Sequence, residues 1–320
     1  MSLQTFLNLT PDRIFAAVEK AGFVPTGEFS QLNSYENRVF MINLEDRDPV
    51  VAKFYRPGRW GEKTLLEEHN FLKELSEDGI TPAAPLILKN DSTLIYHDDL
   101  WVTFFPRIRG RLPDELMEKD LASVGRKLAQ LHMVGRREPA KHRPILDTNG
   151  NGGWDTLDKL EPDIAPEVRS RYVTAAEDIL FAFEDTVITS SYQRIHGDCH
   201  RGNLIDDGTQ FCFIDLDDFS MGPIIQDVWM LLSGDPEDMD REKEAFLTGY
   251  EEFLEFPHQQ WDWIPLLRGL RIISYAGWIQ ARWSDPSFPR IFPDFNTYRY
   301  WAEETEALEK IARSINLESF

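Results

Sequence analysis

The stretch RIHGDCHRGNLI, residues 194–205, sets one Asp, two His, one Cys, one Asn and two Gly between apolar ends. A surface turn needs only residues that tolerate unusual backbone angles and solvate well, and Gly, Asn and Asp supply both. The histidines and the cysteine exceed that need. The acid and the amide also have a fixed relation, since Asp198 and Asn203 stand five apart. A β-rich run, QFCFID (210–215), then ends on Asp215, twelve residues beyond Asn203, with Asp217 and Asp218 close behind.

The chain around this stretch is that of an ordinary globular protein. Its 320 residues, 42% hydrophobic and 28% charged, are enough for a large core and suggest two lobes. Two cysteines, Cys199 and Cys212, exclude a disulfide framework and fit a reducing compartment. No segment approaches the roughly 18 apolar residues of a membrane span, and MSLQTFLNLTPDRIF lacks the basic and apolar regions of a leader. A cytoplasmic protein with no membrane partner is expected. A formal charge of −21 argues against binding a nucleic-acid backbone, which requires clustered Lys and Arg.

Hydrophobic periodicity divides the chain. Residues 10–21 read as a helix with Thr10 as N-cap, Pro11 at the first position and Gly22 closing it. VFMINLE and PVVAKFY form a hairpin about EDRD, and STLIYHDDLWVTFFPRI supplies two strands about HDD. Between these pairs, residues 61–79 repeat apolar positions at Leu65, Leu66, Phe71, Leu72 and Leu75, a helical period. Residues 1–106 therefore form a strand-rich lobe with one long inserted helix. Residues 107–320 form a mainly helical lobe, with helices at 120–135 and 166–188 separated by the loop DTNGNGGWD. The fold class is α+β.

Several motifs fail on spacing. GRWGEKT (58–64) places its Lys after Glu62 rather than Gly, unlike a phosphate loop, and GNGG lacks the third glycine of a dinucleotide fingerprint. The adjacent Cys199 and His200 cannot easily face one tetrahedral zinc, and no C-x2-C or H-x3-H spacing supports such a site. A purely structural loop would account for His and Asn as partners of buried backbone groups, but not for the acid spacing.

That spacing matches the catalytic loop H-R-D-x-x-x-x-N of kinases, with Asp215 in the place of the D-F-G aspartate. Phosphoryl transfer asks little covalent work of a protein. It does need a carboxylate to receive the hydroxyl proton and hard oxygen ligands for Mg2+. HGDCHRGNLI followed by FIDLDDFSMGPIIQDVWML also resembles the motif shared by aminoglycoside phosphotransferases and choline kinases, within the protein-kinase-like superfamily. The likeness is greatest to the bacterial stress-response kinase A family. It extends through SYENRVF, VAKFYRPGRW, EEHNFL and ARWSDPSFPRIF, nearly the whole chain. The resemblance implies a bilobal protein-kinase-like fold and ATP-dependent phosphorylation of protein Ser or Thr.

The resemblance assigns Asp198 as catalytic base, and Asn203 and Asp215 as Mg2+ ligands, with Asp215 also catalytic. Asp217 either assists or, by strand alternation, faces the other way. His196 is expected to brace the loop. Lys53, in an apolar strand where a lone cation is costly, corresponds to the kinase lysine that holds the α- and β-phosphates; an edge position in water is the alternative. Its acid is Glu67 or Glu68, and Glu68 is preferred because Phe71 and Leu72 place it beside the buried face. The segment LNSYENRVF has no glycine, so the Ser34 hydroxyl and nearby N–H groups are the expected ATP contacts, unless the segment is an ordinary hairpin tip. Gly197 stands where regulated protein kinases carry Arg, and no A-P-E segment follows, so activity without loop phosphorylation is expected.

The expectation is an ATP- and Mg2+-dependent serine/threonine protein kinase of the stress-response type, monomeric and capable of autophosphorylation. The alternatives are a small-molecule kinase acting on an aminoglycoside, choline or homoserine hydroxyl, and an ATP-binding pseudokinase. Arg268, Arg271, Tyr275, Trp278 and Arg282 recur at spacings of three and four, which aligns them on one helix face. That face is either the acceptor side of the cleft or packing and internal ion pairs.

Overall fold

The computed structural model describes residues 6, 8–150, 152–232 and 236–318. Its contacts divide the chain into two compact units. One comprises Met1–Arg143, His196–Phe219 and Met230–Phe256, and the other Pro144–Ile195, Ser220–Trp229 and Pro257–Phe320. Residues 107–143 thus pack with the strand-rich first 106. Both segments of the acid motif, 196–203 and 215–218, lie in the first unit.

The first unit is built on an antiparallel five-stranded sheet ordered β1-β2-β3-β5-β4. Its strands are β1 (Pro25–Leu32), β2 (Arg38–Leu44), β3 (Val50–Phe54), β4 (Ile95–His97) and β5 (Leu100–Pro106). Strand alternation gives the sheet two chemistries. Val50, Ala52 and Phe54 of β3 join Phe40, Ile42, Val102 and Phe104 in a core closed by Ile14, Ala17 and Val18 of helix α1 (Pro11–Lys20). Lys53 and Tyr55 therefore point to the opposite side. There helix α2 (Glu62–Glu77) buries Leu65, Glu68, Phe71, Leu72 and Leu75.

The tight connections follow from local chemistry. Asp98 and Asp99, both at positive φ (49° and 65°), form the two-residue turn between β4 and β5 that the twist of a hairpin favours. Asp98 also receives Arg13 at 2.6 Å. Thr10 holds the extended N-cap conformation of α1, but its hydroxyl makes no capping bond; Pro11 supplies the start signal. Strand β1 is absent from the sequence reading because seven of its eight residues are exposed and show no alternation. It is an edge strand, paired with β2 along its length, and its Phe29 packs edge-to-face on Phe15 and Phe40.

Helix α3 (Glu118–Gly135) packs against the helix Pro236–Tyr250 within the same unit. Glycine permits their close approach. A Cβ at Gly125 would meet the Phe246 carbonyl and the Tyr250 nitrogen, and one at Gly249 would meet the Ala122 carbonyl. The second unit is mainly helical, with helices Trp154–Leu160, Arg169–Thr186, Ile264–Ala281 and Tyr298–Glu318 and a short strand pair at 193–195 and 220–222. Its core includes Ile179, Leu180, Leu266, Leu270 and Ile273, with Tyr172 edge-on to Trp301 at 5.6 Å. Asn151, part of the expected Gly/Asn loop, lies outside the described residues. No helix among those described is long and apolar enough to cross a membrane.

The glycine contact gives the first test. Gly125→Val should destabilise the protein by about 1–3 kcal/mol, the usual cost of overpacking, since the new side chain meets backbone rather than a movable side chain. Urea denaturation reads the shift, and an unchanged midpoint would contradict the packing described.

Candidate active site

The site begins with a lysine that its strand cannot leave unpaired. Lys53, 4% exposed, donates to Asp215 Oδ1 at 2.8 Å and lies 3.4 Å from Asp217 Oδ1 and 3.6 Å from Glu68 Oε1. Burial alone would depress its pKa, but Asp215, Asp217 and Glu68 together hold it well above the ordinary value. Glu67, the other acid considered on α2, instead accepts from the Lys141 and His142 amides at 2.6 Å each.

Glu68 is fully buried, and its surroundings are polar by construction. The Tyr55 hydroxyl lies 3.4 Å from Glu68 Oε2 and 3.0 Å from His69 Nε2, while His69 Nδ1 meets the Thr93 hydroxyl at 2.7 Å. Burial, offset only in part by Lys53, pushes the Glu68 carboxyl up to about 7. The same burial, with Lys53 and Arg143 nearby, brings His69 down to about 3, so its ring stays neutral.

The acid motif is held by its own backbone. His196, fully buried, donates from Nε2 to the Ile214 carbonyl at 2.9 Å and packs edge-on to Phe213. This ties the loop to the strand Phe211–Phe213 that leads to Asp215. Gly197 sits at φ +86°, a region costly for the arginine of regulated kinases. Asn203 donates its side-chain amide to the Asp198 carbonyl at 2.9 Å, which turns the amide oxygen away from that carbonyl. The Asp198 carboxylate is 28% exposed, with His200 Nε2 3.5 Å from Oδ2. Because His200 Nδ1 accepts from the Gly202 amide at 2.9 Å, the proton of the neutral ring sits on Nε2, facing Asp198.

Asp215 adopts the left-handed conformation, φ +59° and ψ +61°. For a non-glycine residue this costs about 1–3 kcal/mol. It reverses the chain so that Asp215, 44% exposed in its side chain, and the buried Asp217 both reach Lys53. No three His, Cys, Asp or Glu side chains converge as a complete metal cage among the described residues. One carboxylate and one amide oxygen suit Mg2+, which usually takes few protein ligands and completes its shell with phosphate and water.

Two groups of residues escaped the sequence reading. Arg59 pairs with Asp217 and Asp218, and Arg56 with Glu36 at 3.0 Å. Arg143 donates to the backbone carbonyls of Asp217 and Phe219, the latter at 2.7 Å, and lies over the Phe219 ring. Two arginines flanking Pro57-Gly58, directly after the lysine strand of an acidic chain, were the available signal. Ser34, half-buried, accepts the Asn37 amide at 3.2 Å, which closes the loop between β1 and β2. In the second unit, Arg268 lies over Trp229, Arg282 lies over Trp278, and Tyr275 stacks on Trp278 at 5.6 Å. Ring packing therefore accounts for much of that helix face.

A buried lysine ringed by three acids thus stands beside an Asp-x4-Asn loop. A profile of the phosphotransferase enzyme family APH matches residues 28–264, and the chain belongs to that family. Within it, the chain is 37% identical over 310 residues to "Stress response kinase A" of Escherichia coli O157:H7, covering 94% of this chain and 92% of the relative. It is 36% identical to "Serine/threonine protein kinase RdoA" of Salmonella typhimurium strain LT2, with the same coverage. Solved structures share the fold. An amicoumacin kinase superposes with a TM-score of 0.74 at 17% identity over 93% of this chain and 94% of that one. A microcompartment-associated aminopropanol kinase gives 0.74 at 19% over 94% and 98%. The architecture is the α+β, bilobal, protein-kinase-like fold, and the protein is a transferase of the kinase type.

The raised Glu68 carboxyl sets a pH dependence. Folded protein keeps this proton up to about pH 7, whereas the unfolded chain releases it near 4.5, so the folded state binds more protons between those values. This contribution to stability is complete below pH 4.5 and is lost as pH rises through 7. In thermal melts from pH 5 to 8.5, wild type should lose more Tm than Glu68→Gln across pH 7. Parallel curves would contradict the assignment.

Proposed function

We propose that the protein is an ATP- and Mg2+-dependent serine/threonine protein kinase of the stress-response kinase A type. Residues 1–106 serve as its nucleotide-binding lobe and residues 107–320 as its catalytic and substrate lobe. The observation that carries the transfer chemistry is the contact of Lys53 with Asp215 at 2.8 Å, with Glu68 and Asp217 behind the ammonium. The name of the 36% identical relative, "Serine/threonine protein kinase RdoA", supports a protein acceptor.

In this reading, Lys53 holds the α- and β-phosphates of ATP and Glu68 keeps the ammonium in place. Ser34 retains its O–H as a phosphate donor while its oxygen closes the loop. Asn203 and Asp215 would hold Mg2+, which would supply positive charge against that of the phosphates. Asp198 takes the proton of the acceptor hydroxyl as that oxygen attacks the γ-phosphorus and ADP departs. The Nε2–H of His200 faces this carboxylate at 3.5 Å. His196 does no chemistry here; its bond to Ile214 fixes the loop.

A small-molecule hydroxyl as acceptor is the second reading. It draws on the solved neighbours, an amicoumacin kinase and an aminopropanol kinase. A pseudokinase is less well supported, because Lys53, Asp198, Asn203 and Asp215 are all present. The expected state is a cytoplasmic monomer capable of autophosphorylation, acting within a stress response.

Purified protein incubated with labelled ATP, alone and with generic protein substrates, should transfer label to protein. Transfer only to a panel of small amino alcohols and aminoglycosides would favour the second reading. Asp198→Ala should lower kcat at least about a hundredfold with little change in ATP affinity. Asp215→Ala should abolish Mg2+-dependent nucleotide binding as well, and unaltered affinity in Mg2+ titrations would overturn the ligand assignment.

A further inference from the structure

We propose that Asp217 is a positioning residue rather than a metal ligand, and that with Arg59 and Asn37 it ties the glycine-free loop 33–37 to the Asp215 segment. The consequence for nucleotide binding rests on the phosphotransfer reading; the tie itself does not. Loop 33–37 joins β1 to β2 and carries Ser34. None of its residues takes a positive φ, and its shape is held by side chains.

Those side chains are present. Asn37, 2% exposed, donates from Nδ2 to Asp217 Oδ2 at 3.2 Å and accepts the Arg56 amide on Oδ1 at 3.1 Å. Arg56 donates from Nε to the Glu36 carbonyl at 3.0 Å, donates to the Tyr35 carbonyl at 3.3 Å, and pairs with the Glu36 carboxylate. Arg56 and Arg59 stand at the two ends of a turn in which the Arg59 amide donates to the Arg56 carbonyl at 3.3 Å. Pro57 and Gly58 (φ +75°) occupy its centre, the arrangement of a type II turn. Arg59 then reaches Asp217 and Asp218, with Glu36 3.8 Å away.

Asp217 is the point on which these contacts converge. Its Oδ2 receives both Asn37 and Arg59, and its Oδ1 faces Lys53 at 3.4 Å. Its side chain is 4% exposed, against 44% for that of Asp215. Both Asp217 oxygens already face donors inside the protein, while Asp215 presents itself to solvent. Ligation therefore falls to Asp215. Asp217 transmits the position of that segment to the loop that carries Ser34 and to Lys53.

The test pairs hydrogen exchange with steady-state kinetics on Asn37→Ala, Asp217→Asn and their double variant, with folding checked by thermal melts. Amides in residues 33–37 should lose protection in each, and the KM for ATP should rise at least about tenfold, the scale of a lost hydrogen bond to a charged group. The Mg2+ midpoint at saturating ATP should stay within about twofold of wild type. The double variant should be no worse than Asp217→Asn, because both remove one interaction. A tenfold shift in the Mg2+ midpoint, multiplicative losses, or unchanged loop protection would overturn the proposal. Should Asp217→Asn fail to fold, Arg59→Ala and Arg59→Lys carry the same measurements, with partial recovery expected in the lysine variant and equal loss contradicting the tie. A wild-type protein that binds no ATP, in which Asn37→Ala still releases the loop, would contradict the phosphotransfer reading and leave the tie standing.

Discussion

The burial of Lys53 is the constraint on which the rest of this site depends. An ammonium taken out of water costs several kcal/mol unless fixed charges replace the solvent, and removing one member of a buried pair leaves the other uncompensated. The acids that meet it come from separate parts of the chain: Glu68 from α2, Asp215 and Asp217 from the segment after the loop 196–203. A single lysine thus registers the sheet, the inserted helix and the acid motif on one another. Its position in β3 is fixed in turn by alternation, which sends Val50, Ala52 and Phe54 into the apolar core on the opposite face.

The charge around Lys53 is arranged in graded exposure. Glu68 and Asp217 are buried, while Asp215 and Asp198 retain access to solvent. Burial opposes ionisation of Asp217, yet Arg59, Lys53 and Arg143 hold its carboxyl below the ordinary range; Glu68 has only partial compensation and titrates near 7. Two carboxyls that share one lysine are therefore shifted in opposite directions by their surroundings. The acids that stay exposed are those given the work of proton acceptance and metal binding in the proposed reaction.

The sequence made the acid motif legible because its information is local. Asp198, Asn203 and Asp215 lie within eighteen residues, and their spacing is fixed by one loop and one short strand pair. Lys53 was readable as a charge in an apolar run, and Glu68 from the helical period that places it on the buried face of α2. Strand β1 was not readable, since its edge position removes the alternation by which strands are recognised. Arg59, Asn37 and Arg143 were missed for another reason. Each acts through partners far along the chain, 158 residues in the case of Arg59 and Asp217, and no periodicity records such a pairing. Asp217 itself could be placed only once the left-handed turn at Asp215 was seen, because that turn breaks the simple alternation of an extended segment.

Calorimetric titration of Mg-ATP into Lys53→Ala beside wild type examines the centre of this account in one experiment. Wild type should bind with a measurable heat, and the variant should show none. The same variant should melt at lower temperature although it removes a buried charge, because Glu68 and Asp217 lose the cation they face. Undiminished Mg-ATP binding by Lys53→Ala, at an unchanged Tm, would contradict it.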